Sequence, residues 1–359
     1  MTSVAEGVPR SLLVVRLGAM GDVIHTLAAV AVLRCSLPHT RIGWIIEERW
    51  SELLCARGAA PSGERCPARP IVDCVHVVDT KRWRKSLFSG ITRREIAGAL
   101  EEVRREHYDL AVDFQGLLKS ALMARLSKTQ KVAGMARPRE WPARFLYHHR
   151  VSTVGVHVVE QYQSLARAIA TGPLQWPGIT FPIDATAEAS VSAKLREVGI
   201  DAPFALLTPG AGWRAKEWPA ERYGAVANAL AAQGVKSVIT FAPLEDGLAR
   251  VVENASGGAA KRISCTIGEL IALTRRAKLF IGGDTGPLHL AAALQVPVVA
   301  IFGPTDPARN GPYKTRAVVL RNPASRTSLS HVSALDPGLM KISVEEVISA
   351  ARQHLEMQQ

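Results

Sequence analysis

Short apolar runs alternate with longer runs of helical spacing along most of the chain. In the first half, four apolar runs predict buried strands, at 11–16, 41–46, 72–77 and 110–114. The spacing between them predicts helices over 22–35, 93–106 and 117–126. Such alternation is typical of βαβ units around a parallel sheet, so the predicted fold class is α/β.

A stretch rich in glycine, proline and tryptophan, 171–186, interrupts the alternation and predicts an interdomain linker. A second series follows it, with predicted strands at 204–208, 236–241, 279–281 and 296–302, each running into a loop of Gly, Pro, Thr or acidic residues. We therefore expect two Rossmann-like domains facing each other across a cleft, with these bounds: 1–170, 187–340, and a C-terminal helix within 341–359.

Two segments of the first half depart from this pattern. Residues 57–70, rich in Gly, Pro, Arg and Ala, predict a flexible insertion. Residues 81–85 predict a basic loop around Trp83.

The stretch from Ile281 to Leu290 is the most informative part of the second half. An apolar run ends in two glycines, and an acid, a threonine and a third glycine precede a helix-like run. Pro287 fits the first helical turn, and Thr285 is placed to cap it. Helix N-termini of this kind bind phosphates, although an ordinary tight βα turn explains the three glycines equally well.

The composition indicates a soluble globular protein in a reducing compartment. Of its 359 residues, 47% are hydrophobic and 21% charged, and no apolar run approaches the roughly 20 residues that span a bilayer. The first ten residues lack the pattern of a secretory signal. Five cysteines without CxxC spacing argue against a disulfide framework or a zinc site and fit the cytoplasm.

The net charge of +12 is concentrated in the first half of the chain. Residues 1–170 carry 25 Lys and Arg against 16 Asp and Glu, whereas residues 171–359 carry 19 against 16. The first half therefore suits a polyanionic partner or an anionic membrane surface, although a merely solvated basic face has the same composition. No nucleic-acid-binding motif accompanies the charge.

Asp22 is the first candidate for chemistry, because it follows a glycine-bearing turn at the start of a predicted helix. A general base that deprotonates a hydroxyl and a simple capping residue both fit this position. His25 lies on the same helical face and has either an acceptor contact or a packing role.

Lys216 and Glu245 are candidates in the second half. Lys216 follows a glycine-rich loop and suits a phosphate, although solvated lysines are common there. Glu245 suits ribose hydroxyls or a helix cap. The P-loop, GxGxxG and GxSxG patterns are absent from the sequence, which disfavours a P-loop NTPase, a nicotinamide enzyme and a serine hydrolase.

Together these motifs resemble the lipopolysaccharide heptosyltransferases, glycosyltransferases with the two-Rossmann-domain GT-B fold. The resemblance runs from about residue 12 to residue 313, and four stretches carry it: 20–26, 115–120, 283–290 and 302–307. The basic segment around Trp83 and the stretch 115–119 look closest to the heptosyltransferase I branch. Gly18-Ala19 and the insertion at 57–70 depart from that branch and leave the acceptor open.

The resemblance implies an inverting transfer of L-glycero-D-manno-heptose from ADP-heptose to the Kdo region of lipopolysaccharide inner core. It implies no metal and no cofactor besides the donor substrate. The expected acceptor is Kdo-lipid A or a related core, which suits a cytoplasmic enzyme on the inner face of the inner membrane. The oligomeric state stays open.

The resemblance also assigns roles to residues of this sequence. Asp22 matches the catalytic base. The first domain would bind the acceptor and the second the donor. The donor-binding candidates are Thr208, Lys216, Glu245, Asp284, Thr285, Gly286 and His289. The acceptor-binding candidates are His25, Lys81, Arg82, Arg84, Lys85, Gln115, Lys119, Arg137 and Arg139.

Three alternatives stay open beside this hypothesis. The nearest is heptosyltransferase II or another family member that acts on a later core acceptor. A different class is a non-catalytic protein that binds nucleotide sugars or polyanions. A nicotinamide-dependent oxidoreductase on the same architecture is disfavoured by the missing fingerprint.

Overall fold

The chain folds into two compact units, Met1–Ile183 and Asp184–Gln359. The computed structural model describes residues 7–86, 88–170, 174–242, 245–328 and 334–357. The division falls inside the predicted linker, whose residues 174–183 have neither helix nor strand. Asp184 then accepts hydrogen bonds from the N–H groups of Thr186 and Ala187 and begins the first helix of the second unit.

The first unit is a six-stranded parallel sheet with helices between its strands. The strands are β1 (Ser11–Val15), β2 (Arg41–Glu47), β3 (Cys74–Val78), β4 (Leu110–Asp113), β5 (Lys131–Met135) and β6 (His149–Val151). The helices are α1 (Met20–Ser36), α2 (Thr80–Lys85), α3 (Gly90–Arg105), α4 (Leu118–Leu126) and α5 (Val158–Ile169), with 3-10 turns at Glu48–Leu53 and Trp141–Leu146.

The second unit repeats this plan. Its strands are β7 (Phe204–Thr208), β8 (Ser237–Phe241), β9 (Ala260–Ser264), β10 (Ala277–Gly283), β11 (Val298–Phe302) and β12 (Ala317–Arg321). Its helices are α6 (Ala185–Glu197), α7 (Ala220–Ala231), α8 (Asp246–Ala255), α9 (Ile267–Arg276), α10 (Gly286–Ala293), α11 (Pro307–Asn310) and α12 (Val344–Glu356), with 3-10 turns at Arg214–Lys216 and Leu339–Lys341.

The apolar runs become strands because parallel sheets are buried on both faces. All five residues of β1, β7 and β11 are buried, as expected where helices cover a sheet on each side. The C-terminal helix α12 completes the second core with Val347, Ala350, Ala351 and Leu355. Among the residues described, none of the helices is both long and apolar enough to cross a bilayer.

Both predicted departures from the pattern need correction. Residues 81–85 form helix α2 rather than a loop, because Asp79 accepts a hydrogen bond from Arg82 N and Trp83 is buried. The segment 57–70 contains no helix or strand, yet hydrogen bonds hold it in one conformation. The buried guanidinium of Arg69 donates to the carbonyl oxygens of Ala60, Glu64 and Val72.

The order of the strands decides where each unit can bind a ligand. The first sheet runs β3-β2-β1-β4-β5-β6, and the second runs β12-β11-β10-β7-β8-β9. The chain reverses its direction of winding between β1 and β4, and again between β7 and β10. Ligands of open α/β sheets bind beyond the carboxyl ends of the strands at this switch point.

Candidate active site

In the second unit, the switch point lies between Thr208 at the end of β7 and the glycines of β10. The strand does not stop before the glycines, as the sequence suggested, but runs through Gly283. Thr208 pairs with Gly282, and a Cβ on Gly282 would lie 2.3 Å from Thr208 Oγ1. That buried hydroxyl has no hydrogen-bond partner among the described residues. A side chain at position 282 has no room here, so glycine lets the Thr208 hydroxyl lie against the backbone of β10.

Helix α10 begins directly after this strand. Thr285 occupies the N-cap position, and Pro287 lies in the first turn, as predicted. Thr285 Oγ1 donates to the carbonyl oxygen of Gly283 instead of capping the helix. The first N–H groups of α10 have no side-chain cap from Thr285, which is the arrangement found where helix N-termini bind anions.

Asp284 is held between two basic side chains. Its Oδ2 lies 2.6 Å from Lys216 Nζ, and its Oδ1 lies 3.2 Å from His289 Nε2. Burial alone would raise the pKa of this carboxyl, but His289 and Lys216 outweigh it and hold the pKa well below its usual range. The side chain of Lys216 keeps 17% of its surface exposed against 7% for Asp284. Lys216 therefore presents a fixed positive charge at the strand ends.

Glu245 precedes helix α8 and lies close to the loop after β7. Its Oε2 accepts a hydrogen bond from Ala242 N at 2.9 Å, and a Cβ on Gly210 would lie 2.3 Å from the carboxyl carbon. Glu217 is a second acid close to Glu245. Burial, and then the charge of Glu245, raises the pKa of Glu217. Glu245 is thus an N-cap residue whose carboxylate lies against the glycine-rich loop.

In the first unit, Asp22 lies in the first turn of α1, next to the end of β1. Its Oδ2 is 2.5 Å from Arg16 Nη2, and 35% of the Asp22 side chain is exposed against 4% for Arg16. Ala19 N donates to the same oxygen at 3.4 Å. The carboxylate is therefore both a helix cap and a partly exposed group of fixed orientation.

Arg16 anchors this carboxylate, and the sequence analysis did not select it. Its Nη1 donates to the Phe114 carbonyl at 2.8 Å and to the Tyr162 hydroxyl at 2.9 Å. Burial disfavours the charged guanidinium, but the charge of Asp22, with smaller effects of Tyr162 and Asp113, raises the pKa of Arg16. The signal that could have identified Arg16 is a single cation at the end of the apolar run 11–16.

Gln115 ties the ends of β1 and β4 together. Its Oε1 accepts a hydrogen bond from Leu17 N at 2.8 Å. The buried carboxylate of Asp113 accepts hydrogen bonds from Gln115 N and from the Tyr147 hydroxyl, at 2.8 Å and 2.7 Å. Burial raises the pKa of Asp113 in spite of these bonds. The side-chain amide oxygen of Gln115 therefore already has a hydrogen-bond partner within the first unit.

The predicted basic residues lie in three segments that follow neighbouring strands: α2 after β3, α4 after β4, and the loop after β5. Lys119 Nζ donates to Thr80 Oγ1 at 3.2 Å, which joins the N-terminus of α4 to that of α2. The loop after β5 joins the same region, since Glu140 N donates to Gly116 O at 2.8 Å. Arg82 pairs with Glu95 at 2.7 Å. Within the described ranges, these exposed predicted residues have no ion pair: Lys81, Arg84, Lys85, Arg137 and Arg139.

His25 lies on the buried face of α1 rather than on its exposed face. It is buried, and its ring meets that of His157 at 5.8 Å in an edge-to-face arrangement. This is the packing geometry that the sequence allowed as an alternative to an acceptor contact.

Thr305 is a second residue that the candidate list omitted. It follows β11 within the stretch 302–307, and its buried Oγ1 has no hydrogen-bond partner among the described residues. Thr208 and Thr305 thus have buried hydroxyls that are unpartnered within the described chain, one at the end of β7 and one just after β11, the strand that pairs with β10. No group of three or more His, Cys, Asp or Glu side chains suited to a metal occurs in the described part of the chain.

The model of glycosyltransferase family 9 (heptosyltransferase) matches residues 97–337. Lipopolysaccharide heptosyltransferase 1 of Pseudomonas aeruginosa is 30% identical over 84% of this chain and 81% of its own. Lipopolysaccharide heptosyltransferase 3 of Escherichia coli is 26% identical over 80% of each. The solved structure of E. coli heptosyltransferase WaaC with ADP-2-deoxy-2-fluoro heptose has a TM-score of 0.72 at 25% identity, over 97% of this chain and 100% of that chain.

Two parallel six-stranded sheets with interleaved helices define the GT-B class of glycosyltransferase folds, which confirms the predicted fold class. The extent of the family match and the 30% identity go further. The chain belongs to glycosyltransferase family 9, the heptosyltransferase family, as the resemblance predicted.

Replacing Asp284 with asparagine removes a buried carboxylate that Lys216 and His289 stabilise. Because the folded pKa is lowered, the stabilisation is complete above the unfolded value of about 3.9 and is lost as the pH falls through the folded value. We expect Asp284→Asn to lower the free energy of unfolding by about 1–3 kcal/mol at neutral pH, and by less below about pH 3. Urea unfolding across this range measures both.

The matched control is Asp201→Asn, which removes an exposed ion pair with Lys236 in the same unit. We expect no change in unfolding, because exposed pairs contribute little. An Asp284→Asn variant that loses the same stability at every pH would contradict the lowered pKa.

Proposed function

We propose that this chain transfers L-glycero-D-manno-heptose from ADP-heptose to the Kdo region of lipopolysaccharide inner core, with inversion at the anomeric carbon. The observation that carries the proposal is the cluster of Lys216, Asp284 and His289 at the switch point of the second sheet. A cation, a helix N-terminus and an unpartnered hydroxyl meet there, and together they suit a nucleoside diphosphate. WaaC, solved with an ADP-heptose analogue, supports this choice of donor.

On the donor side, the second unit has to stabilise the charge that develops on ADP as it leaves. Lys216 supplies a positive charge whose position Asp284 fixes. Gly286 and its neighbours at the start of α10 supply N–H groups, and Thr208 supplies a hydroxyl. Glu245, next to Gly210, suits the ribose hydroxyls. With these groups the transfer proceeds without a metal or an added cofactor.

On the acceptor side, Asp22 is the proposed general base. In an inverting displacement one base takes the proton of the acceptor hydroxyl while its oxygen attacks the anomeric carbon. Asp22 suits the task because its carboxylate is partly exposed and oriented by Arg16. Arg16 acts through Asp22 and is a positioning residue.

The acceptor is proposed to be Kdo-lipid A, bound by the basic residues of α2, of α4 and of the loop after β5. Kdo carboxylates and lipid A phosphates complement the exposed cations around Lys119, Arg137 and Arg139. The relative named heptosyltransferase 1 favours this first acceptor, and the relative named heptosyltransferase 3 keeps a later core acceptor as the alternative. Such an acceptor implies work at the cytoplasmic face of the inner membrane.

Incubation with ADP-heptose and Kdo-lipid A tests the reaction itself. We expect release of ADP, undiminished by EDTA, and a heptosylated product whose anomeric configuration by NMR is inverted relative to the donor. A parallel assay with a heptosylated core separates the alternatives. Turnover only on that acceptor would move the protein to a later step, and no turnover on either would leave a non-catalytic binding protein.

Asp22→Asn tests the base. The substitution preserves the size of the side chain but removes its basicity, so we expect turnover to fall by about 10²–10⁴-fold. Affinity for ADP should stay nearly unchanged, since the donor residues belong to the second unit. Initial rates and calorimetry with ADP give the two values.

Glu101→Gln is the control for this variant, because Glu101 is an exposed carboxylate on α3 paired only with Arg105 in the described chain. It should retain full activity. If Asp22→Asn also kept most of its activity, the base would have to be another group.

Lys216→Ala tests the donor site. Losing a charge-assisted contact to a diphosphate should weaken ADP binding by roughly 10–100-fold. Calorimetric titration with ADP measures it, and Lys236→Ala, another lysine of the same unit that pairs with an exposed aspartate, should bind as the unaltered protein does. Equal ADP affinity in the two variants would remove Lys216 from the site.

A further inference from the structure

One side of helix α4 carries leucines that the fold leaves uncovered. Leu118, Leu122 and Leu126 follow one another at intervals of four residues and are 46%, 46% and 38% exposed. The opposite side of the helix is buried through Ser120, Ala121 and Ala124. Residues four apart share a face of a helix, so the three leucines form one stripe that points away from the core.

Two exposed aromatic rings lie on the neighbouring 3-10 turn, Trp141–Leu146. Trp141 and Phe145 are 60% and 61% exposed, and their rings meet edge to face at 4.8 Å. The turn packs beside α4, since Ala143 shares one core cluster with Ala121 and Ala124. We call these five side chains, Leu118, Leu122, Leu126, Trp141 and Phe145, the leucine–tryptophan surface.

Positive charges border the leucine–tryptophan surface. Lys119 and Arg125 lie on α4 on either side of the leucine stripe, and both are exposed. The guanidinium carbon of Arg144 lies 5.7 Å from the Trp141 ring centroid and 5.9 Å from that of Phe145. Apolar side chains with Trp and flanking Lys and Arg are the composition of surfaces that lie in the interface of an anionic bilayer.

The leucine–tryptophan surface also adjoins the loops proposed to bind the acceptor. Leu118 N donates to Glu140 Oε2 at 2.7 Å, which holds the start of α4 against the loop after β5. Lys119 belongs to both regions. A lipid-anchored acceptor in the same membrane would then present its sugars close to these loops.

We propose that the leucine–tryptophan surface docks the protein on an anionic lipid bilayer. The apolar side chains enter the interfacial region, and the surrounding Lys and Arg pair with lipid phosphates. The proposal rests on the proposed function in one respect: it takes the acceptor to be a lipid of the same bilayer. The docking itself requires no substrate.

Co-sedimentation with acceptor-free vesicles tests the docking independently of catalysis. The full chain should sediment with vesicles of phosphatidylglycerol and phosphatidylethanolamine, less at high salt, and weakly with phosphatidylcholine alone. The double variant Leu122→Ser/Phe145→Ser should bind roughly tenfold or more weakly. The control Ile183→Ser/Val251→Ser replaces exposed apolar residues elsewhere and should bind as the unaltered protein does.

A second measurement needs no destabilising change. Vesicles of brominated lipid should quench part of the tryptophan fluorescence of the unaltered protein, and Trp141→Phe should remove that part while keeping the binding. Equal vesicle binding by the double variant and its control would overturn the proposal. So would the absence of vesicle binding, or a dimer seen by light scattering that only the double variant loses.

Activity separates this inference from the proposed function. The double variant should turn over a water-soluble, delipidated Kdo acceptor normally and lose rate only on acceptor embedded in vesicles. If neither acceptor is used but vesicles still bind through this surface, the docking stands and the assigned reaction fails.

Discussion

The ion pair between Asp284 and Lys216 is the constraint on which the second unit's site depends. A buried carboxylate has to be compensated, and the compensating lysine comes from a loop far away in sequence. Glycines make this possible, because a Cβ on Gly283 would lie 3.2 Å from Lys216 O and one on Gly303 would lie 3.3 Å from Ala215 O. The loop can therefore rest on the ends of β10 and β11 and hold its cation at their edge.

The first unit applies the same solution with the charges reversed. There the buried partner is the cation, Arg16, and the more exposed partner is the carboxylate, Asp22. One switch point thus presents a fixed negative charge and the other a fixed positive charge. A transferase that deprotonates an acceptor and stabilises a departing diphosphate needs this division of charge.

Hydrogen bonds between neighbouring loops connect the proposed chemistry of the first unit to its surface. Asp113 orders the loop after β4 from within the core, and Gln115 fastens that loop to the end of β1. The same loop leads into α4, whose exposed face carries the leucine stripe. Residues that orient the candidate base and residues of the leucine–tryptophan surface are therefore only a few positions apart.

The sequence by itself determined the α/β class, the bounds of β7 and the place of Pro287 in the first turn of α10, because these follow from local periodicity and backbone geometry. It also carried the family resemblance, which rests on contiguous motifs. Only the tertiary structure decided that Arg16 anchors Asp22, that His25 packs against His157, and that the basic segment around Trp83 is a helix. Arg16 is fixed by contacts with Phe114 and Tyr162, the ring of His25 meets that of His157, and Trp83 joins the core of the first unit. Such contacts between distant parts of the chain leave no periodic trace in the sequence.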